Sequence, residues 1–569
     1  MVESEVSVDG EEVSVLPMLA ALAKSGSRGQ GRNCLSAERR IAMSEPSSWA
    51  PFHHKTYAVV WSATLVANIG SWMYSAASGW LMTSLTPDPL LISLVQVAGS
   101  LPMFLFALPA GALADVLDLR RFLIVAECYI AIVSFAFAVA VGRGLIGPTS
   151  LLLFTFLIEA GSAITSPAWQ SVVPQLVPRE DLAPAIAMNS VGFNISRALG
   201  PALGGLFAAH FGIVAPFWVN AFSNVGSIGA LAWWKPKRER PTLLPGERFA
   251  SAMRTGVRYA RNNLHLRATL IRAVAFFMFA SCYWALLPLV ARSRLAGGSA
   301  LYGLLLGAIG ASAIAGAFAL PWLKSRLGVN GAVAVGSIGT AVALFLYGAA
   351  REPWIALVAS VAAGASWITV LANLNVSAQV ALPEWVRARG LAVYVTVFFG
   401  AMTLGSVVWG ELARYLSLQW SLWIACGGAL LAIAATWRWR LETGASIDLS
   451  PSVHWPPPIT RESIEGDAGP VMVVIEYQVV PENREAFLSA LEPLSRERSR
   501  DGAYAWGVFE DAAEPDRFVE TFFVESWLEH LRQHERVTNA DRILQERVHQ
   551  LVRGAPRITH LVSARERSP

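Results

Sequence analysis

Charge is scarce in this 569-residue chain: only 15% of residues are Asp, Glu, Lys or Arg, against about 25% in soluble domains, while 54% are hydrophobic. That balance excludes a soluble single-domain protein, a disordered chain and a collagen. Lysine is scarcer still, since only five of the 45 basic residues are Lys and the rest are Arg. The bias reads as the coding composition of a high-GC genome rather than as a binding surface, so nucleic acid is not implied. The four cysteines, Cys34, Cys128, Cys282 and Cys426, lack metal-ligand or redox spacing, so no disulfide framework or zinc site is expected. No Walker-type Gly-Lys-Ser/Thr loop occurs, which argues against ATP as the driving force.

What the chain has instead is long apolar stretches. The runs 89–114, 295–323, 354–383 and 415–437 carry no charge, and each exceeds the roughly 20 residues that cross a bilayer. Hydropathy and breaker residues predict twelve spans, near 57–84, 90–114, 122–142, 149–173, 183–209, 213–234, 269–290, 299–323, 329–350, 354–380, 390–412 and 418–437. The charge-free stretch 198–234 is too long for one span and is divided at 210–212. Segment 235–267, with nine Lys/Arg and two Glu, splits the spans six and six. The positive-inside rule makes it cytoplasmic, and even spacing then places both termini in the cytoplasm.

Residues 1–55 are polar and Gly/Ser-rich, without an apolar run of signal-peptide length, and read as a disordered cytoplasmic tail. The low-complexity stretch 24–32 and the second methionine, Met43, suggest that translation starts at Met43. Inside 235–267, Phe249, Met253, Gly256, Val257, Ala260 and Leu264 recur at helical spacing while Arg254, Arg258 and Arg261 share another face. This predicts a basic amphipathic helix at the inner membrane surface.

Sliding the chain against itself by 205 positions aligns Gly111 with Gly316, Arg121 with Arg326, Pro178 with Pro383, Gly200 with Gly405 and Gly205 with Gly410. One offset for five punctuating residues implies a duplicated six-helix unit in parallel orientation.

Polar side chains inside the predicted spans are costly in a purely anchoring bundle. Glu159 and Arg197 are the deepest ionisable pair, about 15 and 20 Å into the fourth and fifth spans at 1.5 Å per residue. Their repeat counterparts are Gly364 and Met402, so shared architecture does not demand charge there. A carboxylate that alternates between protonated and ionised forms beside a fixed guanidinium is the minimum needed for proton-coupled exchange. Asn68, Gln96, Asn194, Asn220, Asn224, Asn373, Asn375 and Gln379 are candidates for lining a substrate cavity.

The loop after the second span carries Gly111, Leu113, Asp115, Arg120 and Arg121 at the spacing of the cytoplasmic loop signature of the major facilitator superfamily, which it resembles. Val116 and Asp118 depart from the usual basic residue and glycine. The resemblance implies a conformational switch built from Gly111, Asp115, Arg120 and Arg121, with Asp115 holding the N-terminal dipole of a facing helix. In the fifth span Gly192, Gly200, Pro201, Gly204 and Gly205 resemble the glycine-proline motif of the antiporter branch, and small residues there permit close helix approach.

Longer stretches, 68–72 with 80–83, 166–170 through 179–181, and 382–387, resemble the transmembrane secretion effector family, which includes the enterobactin exporter. The likeness runs from about Trp49. It implies an all-α polytopic membrane protein of twelve helices in two bundles, 56–234 and 268–437, joined by the linker 235–267. It also implies inner-membrane export of siderophores, macrolides or similar amphiphiles by proton antiport.

After a Pro-rich linker, 438–469, residues 470–564 have the composition of a soluble domain. Strands are predicted at 471–480, 504–509, 518–524 and 557–562, with helix over 482–498 and 526–552, a ferredoxin-like α+β unit. It resembles the dimeric α+β barrels of the antibiotic biosynthesis monooxygenase type, with Trp527, His530 and His534 on the corresponding helix. The two histidines share one helix face, where packing or pairing with adjacent acids is the favoured role; no cofactor fingerprint is present. Pairing of this unit with a second copy is expected, because an open four-stranded sheet leaves a face to cover.

The reading is therefore a multi-pass bacterial inner-membrane exporter, not an enzyme, with no cofactor or metal. Its partners are a small-molecule substrate, protons and the lipid bilayer. The rival is a membrane-tethered sensor or enzyme acting through the C-terminal domain, disfavoured because an anchor needs one span and no buried polar groups.

Overall fold

The computed structural model describes residues 49–116, 118–235, 249–442, 448–450, 452, 455, 464–466 and 468–564. The tail up to residue 48, with Cys34 and Met43, lies outside them. The described residues begin before the expected tail boundary at 55. Phe52 packs edge-on against Tyr57 and Trp61, and His54 Nε2 lies 2.7 Å from Asp181 Oδ2, tying the chain to the start of a later helix.

The helices follow the breakers. Helix α1 (Lys55–Leu85) is followed by α2 (Pro89–Val116), α3 (Leu119–Gly142), α4 (Pro148–Leu176), α5 (Leu182–Phe211) and α6 (Ala215–Trp233). Pro148 opens α4 where a missing N–H costs nothing. Gly212, at φ +86°, ends α5 within the long charge-free stretch. The linker helix α7 (Phe249–Asn262) leads to α8 (Leu264–Leu289), α9 (Ser299–Ala349), α10 (Pro353–Val380), α11 (Arg387–Tyr415) and α12 (Leu418–Thr436). Two spans separated by a loop were expected across 299–350. The structure instead breaks α9 at Gly328 alone, whose φ of +66° and ψ of 179° are non-helical. Among the described residues, eight helices are long and apolar enough to cross a membrane by length and composition.

Helices α1–α6 pack together, as do α8–α12. Asp118, the departure from the loop signature, accepts from Arg121 N at 2.9 Å and caps α3. Arg120 Nε donates to Leu231 O at 2.9 Å and its Nη2 to Ala232 O, closing the C-terminus of α6. The repeat is visible in three dimensions. Gly205 of α5 meets Ser299 and Gly303 of α9, and Gly410 of α11 meets Leu90 and Ser93 of α2, equivalent approaches under the 205-residue offset.

The C-terminal unit runs β1 (Val471–Gln478), α13 (Arg484–Arg500), β2 (Tyr504–Glu510), β3 (Arg517–Val524), α14 (Trp527–Arg536), α15 (Asn539–His549) and β4 (Arg557–Val562). Its antiparallel sheet has the order β2-β3-β1-β4, with Val471 opposite both Val524 and Val562. Alternate residues Val471, Val473, Ile475 and Tyr477 join Phe487, Leu491, Phe518 and Phe522 in its core. The helix expected over 526–552 is two, because Thr538 starts a new one. Its hydroxyl accepts from Asp541 N while the Asp541 carboxylate accepts from Thr538 N.

Helix α7 differs from its expected place on the lipid surface. Tyr259 is fully buried, its hydroxyl donates to Ala381 O at 3.3 Å, and its ring meets Trp385 edge-on. The adjoining face meets the C-terminal unit, which also reaches the Tyr259 ring. Arg258 pairs with Glu529 at 3.6 Å, and the Arg500 guanidinium lies 5.4 Å from the Tyr259 ring. Arg536 stacks on Trp385 at 4.4 Å. The helix is thus a spacer between two protein units, one end of the bundles being the near end, where this unit docks, and the other the far end.

Candidate functional site

At the far end the two bundles close on each other. A Cβ on Gly205 would lie 2.7 Å from Gly303 Cα, and one on Gly310 would lie 2.5 Å from Ala198 Cα, so α5 and α9 meet backbone to backbone. Arg292 Nη1 donates to Thr83 Oγ1 at 3.1 Å and to Ser84 Oγ at 2.8 Å, bridging α1 from beyond α8, and Trp80 stacks on Tyr302. Between α2 and α11, Ser100 Oγ and Thr403 Oγ1 share a 2.7 Å hydrogen bond at mid-depth.

Toward the near end the facing stripes carry exposed apolar side chains. The α5 stripe that holds Ala198 and Gly205 continues through Val191, 45% exposed, and the facing α9 stripe continues through Phe318, 82% exposed.

Arg197 stands next to Ala198, where α5 and α9 make the last of these close approaches toward the near end. Its guanidinium carbon lies 5.8 Å from the Trp72 ring centroid, 5.5 Å from Trp284 and 5.3 Å from Trp367. The rings come from α1, α8 and α10, so the cage draws on both bundles. Guanidinium over an indole face is the strongest common cation–π geometry. These faces satisfy charge but not directional N–H groups, and the buried Nε of Arg197 has no hydrogen-bond partner; neither has the indole N–H of Trp367. Phe276, Phe277 and Phe398 pack around Trp367 and fix its plane.

Glu159 and Arg197 form no ion pair with each other. Glu159 neighbours Tyr74, whose hydroxyl donates to Thr155 Oγ1 at 3.0 Å within the first bundle. Asn220 is buried against Gly70 and donates to Ser134 Oγ at 3.3 Å, and Asn224 is buried on the same helix; both sit within the first bundle. Asn373 Nδ2 donates to Thr369 O of its own helix at 2.6 Å while its Oδ1 is unpartnered. Asn194 bonds back to Ser190 O at 2.8 Å. Asn68, Gln96 and Asn375 are half-buried and Gln379 is exposed. Gly192, Gly200 and Gly204 seat α5 on Trp61, Trp72 and Met73 of α1, with Pro201 buried beside them. The side chains of Gly111 and Asp115 lie outside the described residues.

The sequence comparisons place this architecture in a family. Residues 46–568 match the transmembrane secretion effector family. The chain belongs to that family. It is therefore a multi-pass membrane transporter of the major facilitator superfamily, which is not an enzyme family. The chain is 21% identical over 270 residues to the Staphyloferrin A transporter of Staphylococcus aureus, covering 47% of this chain and 67% of that protein. It is 23% identical over 235 residues to Macrolide efflux protein A of Streptococcus pyogenes, covering 41% and 58%. It is 29% identical over 177 residues to the Multidrug efflux pump Tap of Mycolicibacterium fortuitum, covering 30% and 43%. The chain thus spans roughly half the length of these relatives. Among solved structures, an auto-inhibited POT family peptide transporter aligns with a TM-score of 0.57 at 13% identity, covering 69% of this chain and 99% of that one. A bacterial homologue of the iron transporter ferroportin in an inward-facing state aligns at 0.52 and 14%, covering 68% and 98%. At these identities the likeness speaks to the fold.

Two features of this secretion effector were missed in the sequence. Glu127 is buried in α3 and accepts from Trp169 Nε1 at 3.0 Å; it stood in an apolar run with the same signal as Glu159. Arg272 is buried in α8 beside Val333, Thr340 and Trp437 with its Nε unpartnered, and it too was legible as a lone charge. The three cage tryptophans gave no signal of their own.

Proposed function

We propose that this secretion effector exports small amphiphilic molecules by proton antiport with alternating access. Twelve membrane-crossing helices are counted as α1–α6 and α8–α12, with α9 taken as two across Gly328. The basic segment 235–267 supports a cytoplasmic near end and cytoplasmic termini in a bacterial inner membrane. On that orientation the Arg292–Thr83 and Gly205–Gly303 contacts close the outer end of the molecule.

The observation that carries the reading is Arg197, held by three indoles at the bundle junction with an unused Nε–H. An anionic or electron-rich substrate group that accepts from Arg197 and Trp367, with its apolar body against the rings, completes the cage. Relatives named for staphyloferrin A transport, macrolide efflux and multidrug efflux support the amphiphile class. Glu159 is the proton carrier, alternating between protonated and ionised forms as access alternates, and Asp115 governs switching rather than substrate contact.

Glu159→Gln tests the coupling in liposomes, once folding and insertion are checked. Proton-driven transport is lost and substrate counterflow is kept; normal proton coupling in that variant would overturn the assignment. Survival of an efflux-deficient bacterium on siderophores, macrolides and dyes identifies the substrate. The sheet order supports a ferredoxin-like fold for the C-terminal unit. Its outer face, with half-exposed Met472, Val474 and Phe523, supports pairing with a second copy, to be read from the mass of the full chain in nanodiscs.

A further inference from the structure

We propose that His530, His534 and His560 form a binding site for a divalent transition-metal ion of the zinc or cobalt type in the C-terminal unit. One ring nitrogen of each lies within 4.8 Å of those of the other two. His530 and His534 stand one turn apart on α14 with their Nε2 atoms 3.3 Å apart. Tetrahedral ligation at metal–nitrogen distances of about 2.0–2.1 Å spaces neighbouring nitrogens by about 3.3 Å. His560 reaches the pair from β4, its ring centroid 4.7 Å from that of His530. Two ligands from one helix turn and one from a strand pin α14 to the sheet edge.

The surroundings suit a metal rather than plain packing. His530 Nδ1 lies 3.3 Å from Gln533 Oε1, and Gln533 Nε2 donates to Asp501 O at 3.4 Å. An amide that donates through its nitrogen offers its oxygen as acceptor, so Nδ1 of His530 carries the proton and Nε2 is left with its lone pair toward the other histidines. A partner that fixes tautomer and ring plane is the usual second support of a metal-bound histidine. Trp455 packs on His534 at 5.1 Å, and Trp527 lies 5.5 Å from His530 and 6.2 Å from His560, bordering the site with indole faces. The nearby Arg498 is charge-paired with Glu520 at 3.6 Å. Spacing in the sequence pairs His530 with His534 but gives no hint of His560, which the fold supplies.

The test uses the full chain in detergent with its affinity tag removed, stripped with chelator and titrated with Co(II). The expected result is one Co(II) per chain with the intense visible absorption of a four- or five-coordinate ion, displaced by Zn(II). His530→Ala/His560→Ala abolishes the band, and Gln533→Ala weakens binding about ten- to hundredfold. Absence of the band in the wild type, or its persistence in a folded double variant, overturns the proposal. A measurement on the wild type alone stands beside it. Zn(II) protects the half-exposed His534 and His560 together from diethyl pyrocarbonate, read by mass spectrometry; equal labelling of these two with and without Zn(II) overturns it as well.

Discussion

Arg500 is buried inside the C-terminal unit and Arg197 is half-buried at the junction of the helical bundles with its Nε out of solvent, and their partners differ in kind. Arg500 Nε donates to Asp501 Oδ1 at 2.9 Å, and its Nη2 donates to Asp501 Oδ2 at 2.8 Å and to Asp541 Oδ2 at 2.9 Å. Arg197 has three indole faces and an Nε with no partner. A guanidinium with its carboxylates in place is complete and holds structure together. One with its charge soothed by π faces and its donors unused is complete only when something else arrives. The difference marks scaffold from site more clearly than depth or burial does.

The largest effect is expected where the partners are lost. Arg500→Met leaves Asp501 and Asp541 buried without a countercharge and destabilises the C-terminal unit by about 3–5 kcal/mol, read as an early transition in thermal melts of the full chain. Arg197→Met leaves no buried carboxylate behind. The bundle melts within a few degrees of wild type, while substrate binding weakens about ten- to hundredfold, the worth of a charge-assisted hydrogen bond of about 1.5–3 kcal/mol. A large loss of bundle stability in Arg197→Met, with substrate binding intact, would erase the contrast.

Trp367→Leu removes one ring and one donor and weakens binding about three- to thirtyfold at a cation–π worth of about 0.5–2 kcal/mol. It should shift the preference away from anionic substrates, as equilibrium binding to charged and neutral analogues would report. The smallest effect concerns Glu497, whose carboxyl is pushed well above the usual range, first by burial and then by the Asp541 charge. A raised folded-state pKa gives stability that is full below the unfolded value near 4.5 and is lost as pH rises toward the folded one. The C-terminal unit should therefore melt lower at pH 9 than at pH 6, and Glu497→Gln should flatten that slope by a few degrees.

Much of the helical frame was legible because apolar runs and breakers are local signals. Gly212, Pro148 and Pro353 end or open helices through their own backbone chemistry, so the chain announces them. Arg197 and Glu159 were legible for a similar reason, as ionisable residues standing in apolar runs. The cage was not. A tryptophan in an apolar run looks like core, and Trp72, Trp284 and Trp367 converge only when α1, α8 and α10 are packed. Asn220 shows the converse: hydropathy tells which segment crosses but not which face looks inward, and this side chain turned into its own bundle. Asp118 read as a broken signature because the sequence showed the missing glycine and not the cap that replaced it. The break before α15 was hidden because Thr538 matters through its hydrogen bond to Asp541, a signal weaker than the apolar residues on either side.

The docking of the C-terminal unit has a mechanical corollary. Its contacts run through Arg258–Glu529, Arg500–Tyr259 and Arg536–Trp385, and Tyr259 and Trp385 are themselves seated at the ends of the second bundle's helices. The unit is therefore a passenger on one rocker. Under the proposed alternating access, its distance to α10 and α11 stays constant while its distance to α1 and α5 lengthens and shortens. A pair of spin labels, one on this unit and one on the near end of α5, would keep time with the transport cycle like a pendulum bob read against a fixed frame.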